Sequence, residues 1–346
     1  MASSIDGCDP PLPVRFDVLA PGRRPGDPPV DLFVSGAVFL DLVFTGLPSM
    51  PSVGREVFAA GMGSTPGGVA NLAVAASRLG LRTSMASAFG EDIYGDYCWH
   101  VLADHEGIDL SNSQRFAGWH SPVTVSLAHD RDRAMVTHMH PPPVTLDELV
   151  GVPPKARVAF VDLAGEPAGW VDKARAEGAL LFADLGWDPL ERWDHGVLER
   201  LDGVHCFSPN AVEAMSYTRT SDPHDALQAL ATLVPLAVVT CGTDGVIAID
   251  ATTGERAHAP ALSVAALDPT GAGDVFAAAL LLGTLAAWPL VHRLRFANLA
   301  AALSVRQFGG SLSAPGWGEL ALWWRSTQSA GGTLAADYGF LDDVLA

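Results

Sequence analysis

The stretch Asp268-Pro269-Thr270-Gly271-Ala272-Gly273-Asp274-Val275-Phe276 runs directly into a long apolar segment. Gly271 and Gly273 let the backbone turn tightly, so consecutive N–H groups can point one way where a helix begins. Unpaired donors and the helix dipole together make an anion site. Donors aimed at the equatorial oxygens of a transferring phosphoryl group stabilise its charge. Asp274 would sit in the first turn beside that anion. A carboxylate there can take a proton from an attacking hydroxyl, a role typically worth about 10²–10⁴ in rate. The plainer alternative makes the glycines turn residues and Asp274 a helix cap.

Around this segment, strand and helix signals alternate. Leu32–Val38 reads as a strand entering a turn at Gly36, Val69–Leu79 as an Ala-rich helix stopped by Gly80, and Arg82–Ala88 as a strand. Tyr94–Glu106 reads as a helix closed by Gly107. Pro122–Ala128 and Ala134–His138 read as a hairpin around Asp130-Arg131-Asp132-Arg133. Alternation resumes with strand 158–163, helix 168–177, strand 179–184, helix 189–201, strand 204–207, a short helix from Asn210, helix 222–233 and strands 236–240 and 245–250. Helices 273–287 and 290–305 close the pattern. Repeated β-α units predict an α/β fold with a mainly parallel sheet and helices on both faces. The hairpin and the Pro-rich stretch do not fit that sheet and are expected to form a small β lid, from segments near 47–66 and 118–140. Residues 1–29, rich in Pro and Gly, read as an extended or disordered arm, residues 30–317 as the main domain and 318–346 as an appendage.

Composition narrows the partners. The chain has 346 residues, 49% of them apolar, enough for a sizeable core. Its net charge of −18 is spread along the chain, which excludes the basic stripe a nucleic-acid partner needs. An anionic substrate therefore gains no long-range steering and must be handled by backbone N–H groups and metal ions. Lys155 and Lys173 are the only lysines, so a lysine-centred phosphate site is not expected. Cys8, Cys98, Cys206 and Cys241 lack metal-type spacing and read as reduced thiols. No basic-then-apolar leader opens the chain, and the most apolar run, Val275 to Val291, is interrupted and shorter than a span of about 20 residues. A cytoplasmic protein without a membrane partner is expected.

The Asp268–Phe276 segment resembles the C-terminal signature of the ribokinase-like (phosphofructokinase-B type) carbohydrate kinases. Pro66-Gly67-Gly68-Val69-Ala70-Asn71 is similar to that family's glycine-pair signature, and Ser208-Pro209-Asn210-Ala211-Val212-Glu213 to its Asn-x-x-Glu motif. Thr240-Cys241-Gly242-Thr243-Asp244-Gly245 resembles its nucleotide loop. Phe89-Gly90-Glu91-Asp92 with Gly95, Glu106-Gly107-Ile108-Asp109, and Phe296-Ala297-Asn298 to Gly309 match further helices. The motifs occur in family order over roughly residues 31–315.

The resemblance implies a three-layer α/β/α kinase that moves the γ-phosphoryl group of ATP to a sugar or nucleoside hydroxyl. It implies Asp274 as base, with Gly271, Ala272 and Gly273 as the anion hole. Gly36, Asp41, Gly67, Gly68 and Asn71 fall at the family's sugar site, where a carboxylate can accept from two vicinal hydroxyls at once. Asn210 and Glu213 share a helix face and match the pair that organises Mg²⁺ through water; a helix cap is the alternative. Thr240, Gly242, Gly245 and Asn298 match nucleotide contacts. Asp268, Thr270, Ser304, Gln307, Gly309 and Ser313 match a monovalent cation (K⁺) site, and many relatives pair through the lid, so a homodimer is expected.

Two departures stand out. Only two residues separate the glycine pair from Asn71, where the family commonly has three. Phe39 stands two before Asp41, where ribokinases carry a polar Asn, which leaves room for a nucleoside base or a less polar sugar. His138 and His140 share one strand face and suggest either a metal or a solvated lid edge. Trp119, His120, Arg131 and Arg133 fall in the lid segments. A regulator that binds without turnover is a second reading, and a nucleotide-dependent oxidoreductase is disfavoured because no Gly-x-Gly-x-x-Gly turn follows the first strand.

Overall fold

Val30–Ser35 forms strand β1, buried at every position, the mark of a parallel strand covered on both faces. Leu32 and Val34 enter one apolar cluster and Phe33 the other, so helices lie on both sides of the sheet. The computed structural model describes residues 16–129, 132–165, 167–186 and 190–345. Its further strands are β2 (Val38–Thr45), β3 (Gly61–Gly68), β4 (Thr83–Ala86), β5 (Ala88–Gly90), β6 (Gln114–Phe116), β7 (Val123–His129) and β8 (Asp132–His138). Then follow β9 (Ala156–Asp162), β10 (Leu180–Asp184), β11 (Cys206–Phe207), β12 (Leu236–Thr240), β13 (Val246–Asp250) and β14 (Glu255–Ala259).

The main sheet has the order β14-β13-β12-β11-β10-β9-β1-β4. It is parallel from β12 to β4, with an antiparallel edge of β13 and β14. Helices Ala70–Arg78, Ala272–Leu285, Leu290–Ser304 and Trp317–Ala330 cover one face, and Gly169–Ala176, Ala211–Thr218 and Pro223–Leu230 the other. This is the expected three-layer architecture. A second sheet, β3-β2-β7-β8, rises from the turn at Gly36 and contains the expected hairpin, β7 on β8; the turn residues Asp130 and Arg131 lie outside the described residues.

Several elements depart from the sequence reading. The run Leu32–Val38 is not one strand: β1 ends at Ser35, and β2 starts at Val38 in the other sheet. β3 lies inside the stretch read as Pro-rich lid, where Gly, Ser and Thr give no hydrophobic alternation; Pro66 is tolerated because β3 is an edge strand. The helix from Tyr94 is α-helical over Ile93–His100 and then widens to a π-turn at Val101–His105. Of the helix expected over 189–201, only a 3₁₀ segment at His195–Leu201 forms; Pro189 lies outside the described residues.

The ends of the chain are also packed differently from the expectation. Residues 1–15, with Cys8, lie outside the described residues. From Phe16 on, the supposed arm is anchored: Phe16 meets Trp317 edge-on at 5.1 Å, and Arg23 bridges Asp17 and Asp31. The supposed boundary at 318 falls inside helix Trp317–Ala330, and Leu320, Trp324, Tyr338 and Leu341 join the same apolar cluster as the central helices. Aromatic residues spaced for a helix bury their area when they find a face to cover, and here the face is that of the main domain. No helix among the described residues is long and apolar enough to cross a membrane.

Candidate active site

Gly271 is the N-cap of helix Ala272–Leu285, in the left-handed region at φ 76°, and no side chain caps this helix. No side chain competes for the first-turn N–H groups, of which that of Ala272 donates to Pro269 O at 3.2 Å. A Cβ at Gly273 would meet nothing within 4 Å, so that side of the turn opens to the cleft. Asp274 is the third helical residue, not the cap. Burial raises its carboxyl to about 6, while a hydrogen bond from Asn71 and one from its own backbone N–H act in the opposite direction.

Asn71 lies at the start of helix Ala70–Arg78, 7% exposed. While it donates to Asp274, its Oδ1 has no hydrogen-bond partner among the described residues. A Cβ at Gly271 would lie 3.4 Å from Asn71 Cγ, and one at Gly310 3.1 Å from Asn71 Oδ1. The glycine-pair motif and the anion turn therefore meet at this amide.

The β2–β3 pairing places the acceptor-side candidates. A Cβ at Gly67 would come within 2.0 Å of Asp41 Oδ2, so only glycine admits the carboxylate. Gly68 has φ 64°, and a Cβ there would meet Ala37 O at 2.3 Å and the Phe39 ring at 2.8 Å. A Cβ at Gly36 would meet Val69 at 2.5 Å. Burial raises the Asp41 carboxyl to about 6, offset by a hydrogen bond from Thr124 and the charge of Arg133, and reinforced by the charge of Asp268. Gly36, Asp41, Gly67, Gly68 and Asn71 thus line one contiguous junction between the two sheets.

The nucleotide-side candidates gather in two places. Asn210 bridges to Thr240 and forms a reciprocal capping box with Glu213: Asn210 N donates to Glu213 Oε2 at 3.0 Å, and Glu213 N to Asn210 Oδ1 at 3.0 Å. The helix-cap alternative is therefore realised. Asn298 Nδ2 donates to Ala259 O and Pro260 O, each at 3.0 Å. A Cβ at Gly245 would meet that same Ala259 O at 2.1 Å. Gly242 stands at φ 56° with open space around it.

Among the described residues no three His, Cys, Asp or Glu side chains converge on a metal-sized site. His138 and His140 meet edge-on at 4.7 Å with no third ligand among them. A hydrated Mg²⁺ still fits the carboxylates present. Glu213 is buried, and burial raises its carboxyl. Asp184, at the end of β10, is raised to about 7 by burial and by the charges of Glu213 and Asp274. A divalent cation relieves that repulsion.

The residues matched to a monovalent cation do not all turn inward. Asp268 Oδ1 accepts from Thr270 N at 2.9 Å and Thr270 Oγ1 at 2.5 Å, and Gly309 N points at Oδ2 from 3.4 Å. Ser304 and Ser313 are buried but donate to Ala301 O and Gly310 O. Gln307 is exposed and donates to Glu319 instead. Arg133 of β8 reaches across from the second sheet to pair with Asp268 and donates to Thr270 Oγ1.

Sequence reading missed Asp184 and Asp162. Both sit at carboxyl ends of parallel strands, where open α/β sheets bind ligands, so that position rule was the available signal. Thr124 was missed because only the β2–β7 register sets it opposite Asp41.

Comparison with known proteins follows this geometry. Residues 171–317 match the pfkB family carbohydrate kinases. A fructokinase of Klebsiella pneumoniae is 32% identical, the match covering 72% of this chain and 85% of that one. A nucleoside kinase of Methanothermobacter thermautotrophicus is 30% identical, covering 73% and 82%. A putative ribokinase II from E. coli superposes with a TM-score of 0.74 at 19% identity, over 86% of this chain and 100% of its own. The order of motifs, the layered fold and these identities agree, and the chain belongs to the pfkB family of carbohydrate kinases.

Proposed function

We propose that the protein transfers the γ-phosphoryl group of ATP to a hydroxyl of a sugar or nucleoside, with Asp274 as the base. The observation that carries this reading is the Asn71 side chain. It donates to Asp274 and leaves a buried carbonyl oxygen without a partner at the acceptor junction, as a group awaiting a substrate hydroxyl would. Asp41, held against Gly67, orients the neighbouring hydroxyls. The acceptor oxygen forms a bond to Pγ as the bond from Pγ to the bridging oxygen breaks. The hydroxyl proton passes to Asp274, and ADP leaves. N–H groups at Gly271, Ala272 and Gly273 face the charge on the transferring group. Glu213 and Asp184 would hold a hydrated Mg²⁺ through its waters, and the ion would supply positive charge to the phosphate oxygens.

The β3-β2-β7-β8 sheet serves as a lid that excludes competing water, with Arg133 tying it to the anion turn. Met62 of β3 and Met135 and Val136 of β8, the two edge strands, are exposed, and a second copy pairing along an edge as a homodimer would cover part of that surface. Light scattering at twice the chain mass is the expected result.

A coupled ADP-release assay with Mg-ATP over a panel of sugars and nucleosides tests the reading. One acceptor should raise turnover far above background, and Asp274→Asn should lose it by about 10² or more. Binding without turnover would leave a regulator of the same fold.

A further inference from the structure

The strand order turns at β1: β4 follows on one side, and the chain then crosses to β9 on the other. Carboxyl ends of neighbouring strands diverge at such a point and leave a crevice that takes ligands. Here the crevice deepens into a cavity of about 480 Å³, within the range that encloses a small organic molecule. The Gly36–Val38 turn, Val144, Leu163 and Trp119 of the lid segment line it. Trp170, also in the lining, packs edge-on against Phe33 at 5.3 Å.

The cavity shares a wall with the acceptor junction. On one side of the Gly36–Val38 turn, Ala37 O accepts from Val69 N at 3.2 Å and lies against Gly68; the other side faces the cavity. Asp162, in the cavity lining, lies close enough to Asp184 for its charge to be felt there, as is that of Asp274. The Gly36–Val38 turn thus borders both the cavity and the acceptor junction.

The walls are mostly carbon, so a second sugar ring would strand its hydroxyls against them. Charged side chains such as Asp162, Arg175 and Arg200 also reach the lining, and among its buried groups one donor stands out. The indole Nε1–H of Trp170, a residue 1% exposed, has no acceptor among the described residues. Buried donors are nearly always paired. A flat heteroaromatic ring offers apolar faces to the walls and a ring nitrogen or carbonyl at its edge to this donor. Phe39, against Gly68, adds a further apolar surface on the acceptor side.

We infer that the acceptor is a nucleoside, its ribose hydroxyl at Asp274 and its base in the cavity over Trp170. This rests on the kinase reading above. The test compares kcat/KM for adenosine, inosine and cytidine with that for free ribose and fructose, in wild type, Val144→Trp and Trp170→Phe. Wild type should favour one nucleoside over the free sugars by at least about tenfold. Val144→Trp, at a half-buried wall position, fills the cavity and should lower that ratio about tenfold or more. Trp170→Phe keeps an aromatic ring but removes the donor and part of the ring area, and should lower it about three- to tenfold, through KM. Quenching of indole fluorescence by the preferred nucleoside should shrink in Trp170→Phe, which reads binding independently of turnover. A free sugar preferred over every nucleoside, with both folded variants leaving the ratio unchanged, overturns the inference while the kinase reading stands. No ADP release with any acceptor overturns both.

Discussion

The side chain of Asn71 donates to the carboxylate of Asp274, joining residues 203 positions apart through the packing of helix Ala70–Arg78 on helix Ala272–Leu285. One hydrogen bond thus couples the acceptor motif to the candidate base. Because it favours the ionised form, it opposes the burial that raises Asp274 to about 6. Asn71→Ala should move the acidic limb of the kcat/KM profile upward by about a unit and raise the acceptor KM. An unchanged limb would show that Asn71 does not set the base.

Asp274→Asn should separate activity from stability. Its folded pKa, about 6, lies above the ordinary carboxylate value of 3.8. The folded state therefore favours the protonated form, and this contribution, full below about pH 4, is lost as pH rises through 6. The Asn variant should melt higher than wild type at pH 8, by about 1 kcal/mol or a degree or two once the partial exposure of Asp274 is allowed for. The difference should vanish near pH 4. A lower melting temperature at pH 8 would contradict the sign.

Two carboxylates with similar shifts predict a steep acidic limb. Asp41 and Asp274 are each raised to about 6, burial being the first cause for both. If both must be ionised for turnover, log kcat/KM should rise with a slope above one below pH 6. Asp41→Asn should reduce the slope toward one while weakening acceptor binding.

Gly67→Ala should raise the acceptor KM about tenfold or more with little effect on the KM for ATP. Its Cβ would collide with Asp41 Oδ2, 2.0 Å away, and turn the carboxylate out of the junction. Gly242→Ala places its Cβ in open space but in the left-handed region, at φ 56°, so it should cost stability rather than acceptor binding. Steady-state kinetics with each substrate varied in turn distinguish the two.

Arg133→Ala should loosen the lid. Arg133 is paired with Asp268 at 3.4 Å and donates to Thr270, joining the second sheet to the anion turn. Without it, ADP release should exceed phosphorylated product, as water reaches the transferring group. Equal yields of both at reduced rate would mean that the contact positions groups without sealing the site.

Some of this was legible in the chain because it is local. The Asp268–Asp274 turn needs Gly271 where φ is positive and an acidic residue one turn on, and both demands fall within seven residues. The buried parallel strands also announced themselves, through the apolar runs Leu32–Val34 in β1 and Leu236–Val239 in β12. β3 did not: Gly61–Gly68 has no hydrophobic alternation, and its strand state comes from pairing with β2. The arm and the tail were misread for the same reason, since Phe16 finds its partner in Trp317 and the tail residues Trp324, Tyr338 and Leu341 find theirs in the main apolar cluster.

The amino-acid sequence by itself determined the α/β class, the sharp turn at Gly271 and the apolar runs of the parallel strands, because spacing and glycine placement act over a few residues. Only the tertiary structure decided which distant groups meet. Asn71 against Asp274, Arg133 against Asp268 and Trp170 in the lining of the crevice at β1 depend on strand order and helix packing. Their energies, a hydrogen bond, an ion pair and a buried donor, exist only once the chain has closed the distance between them.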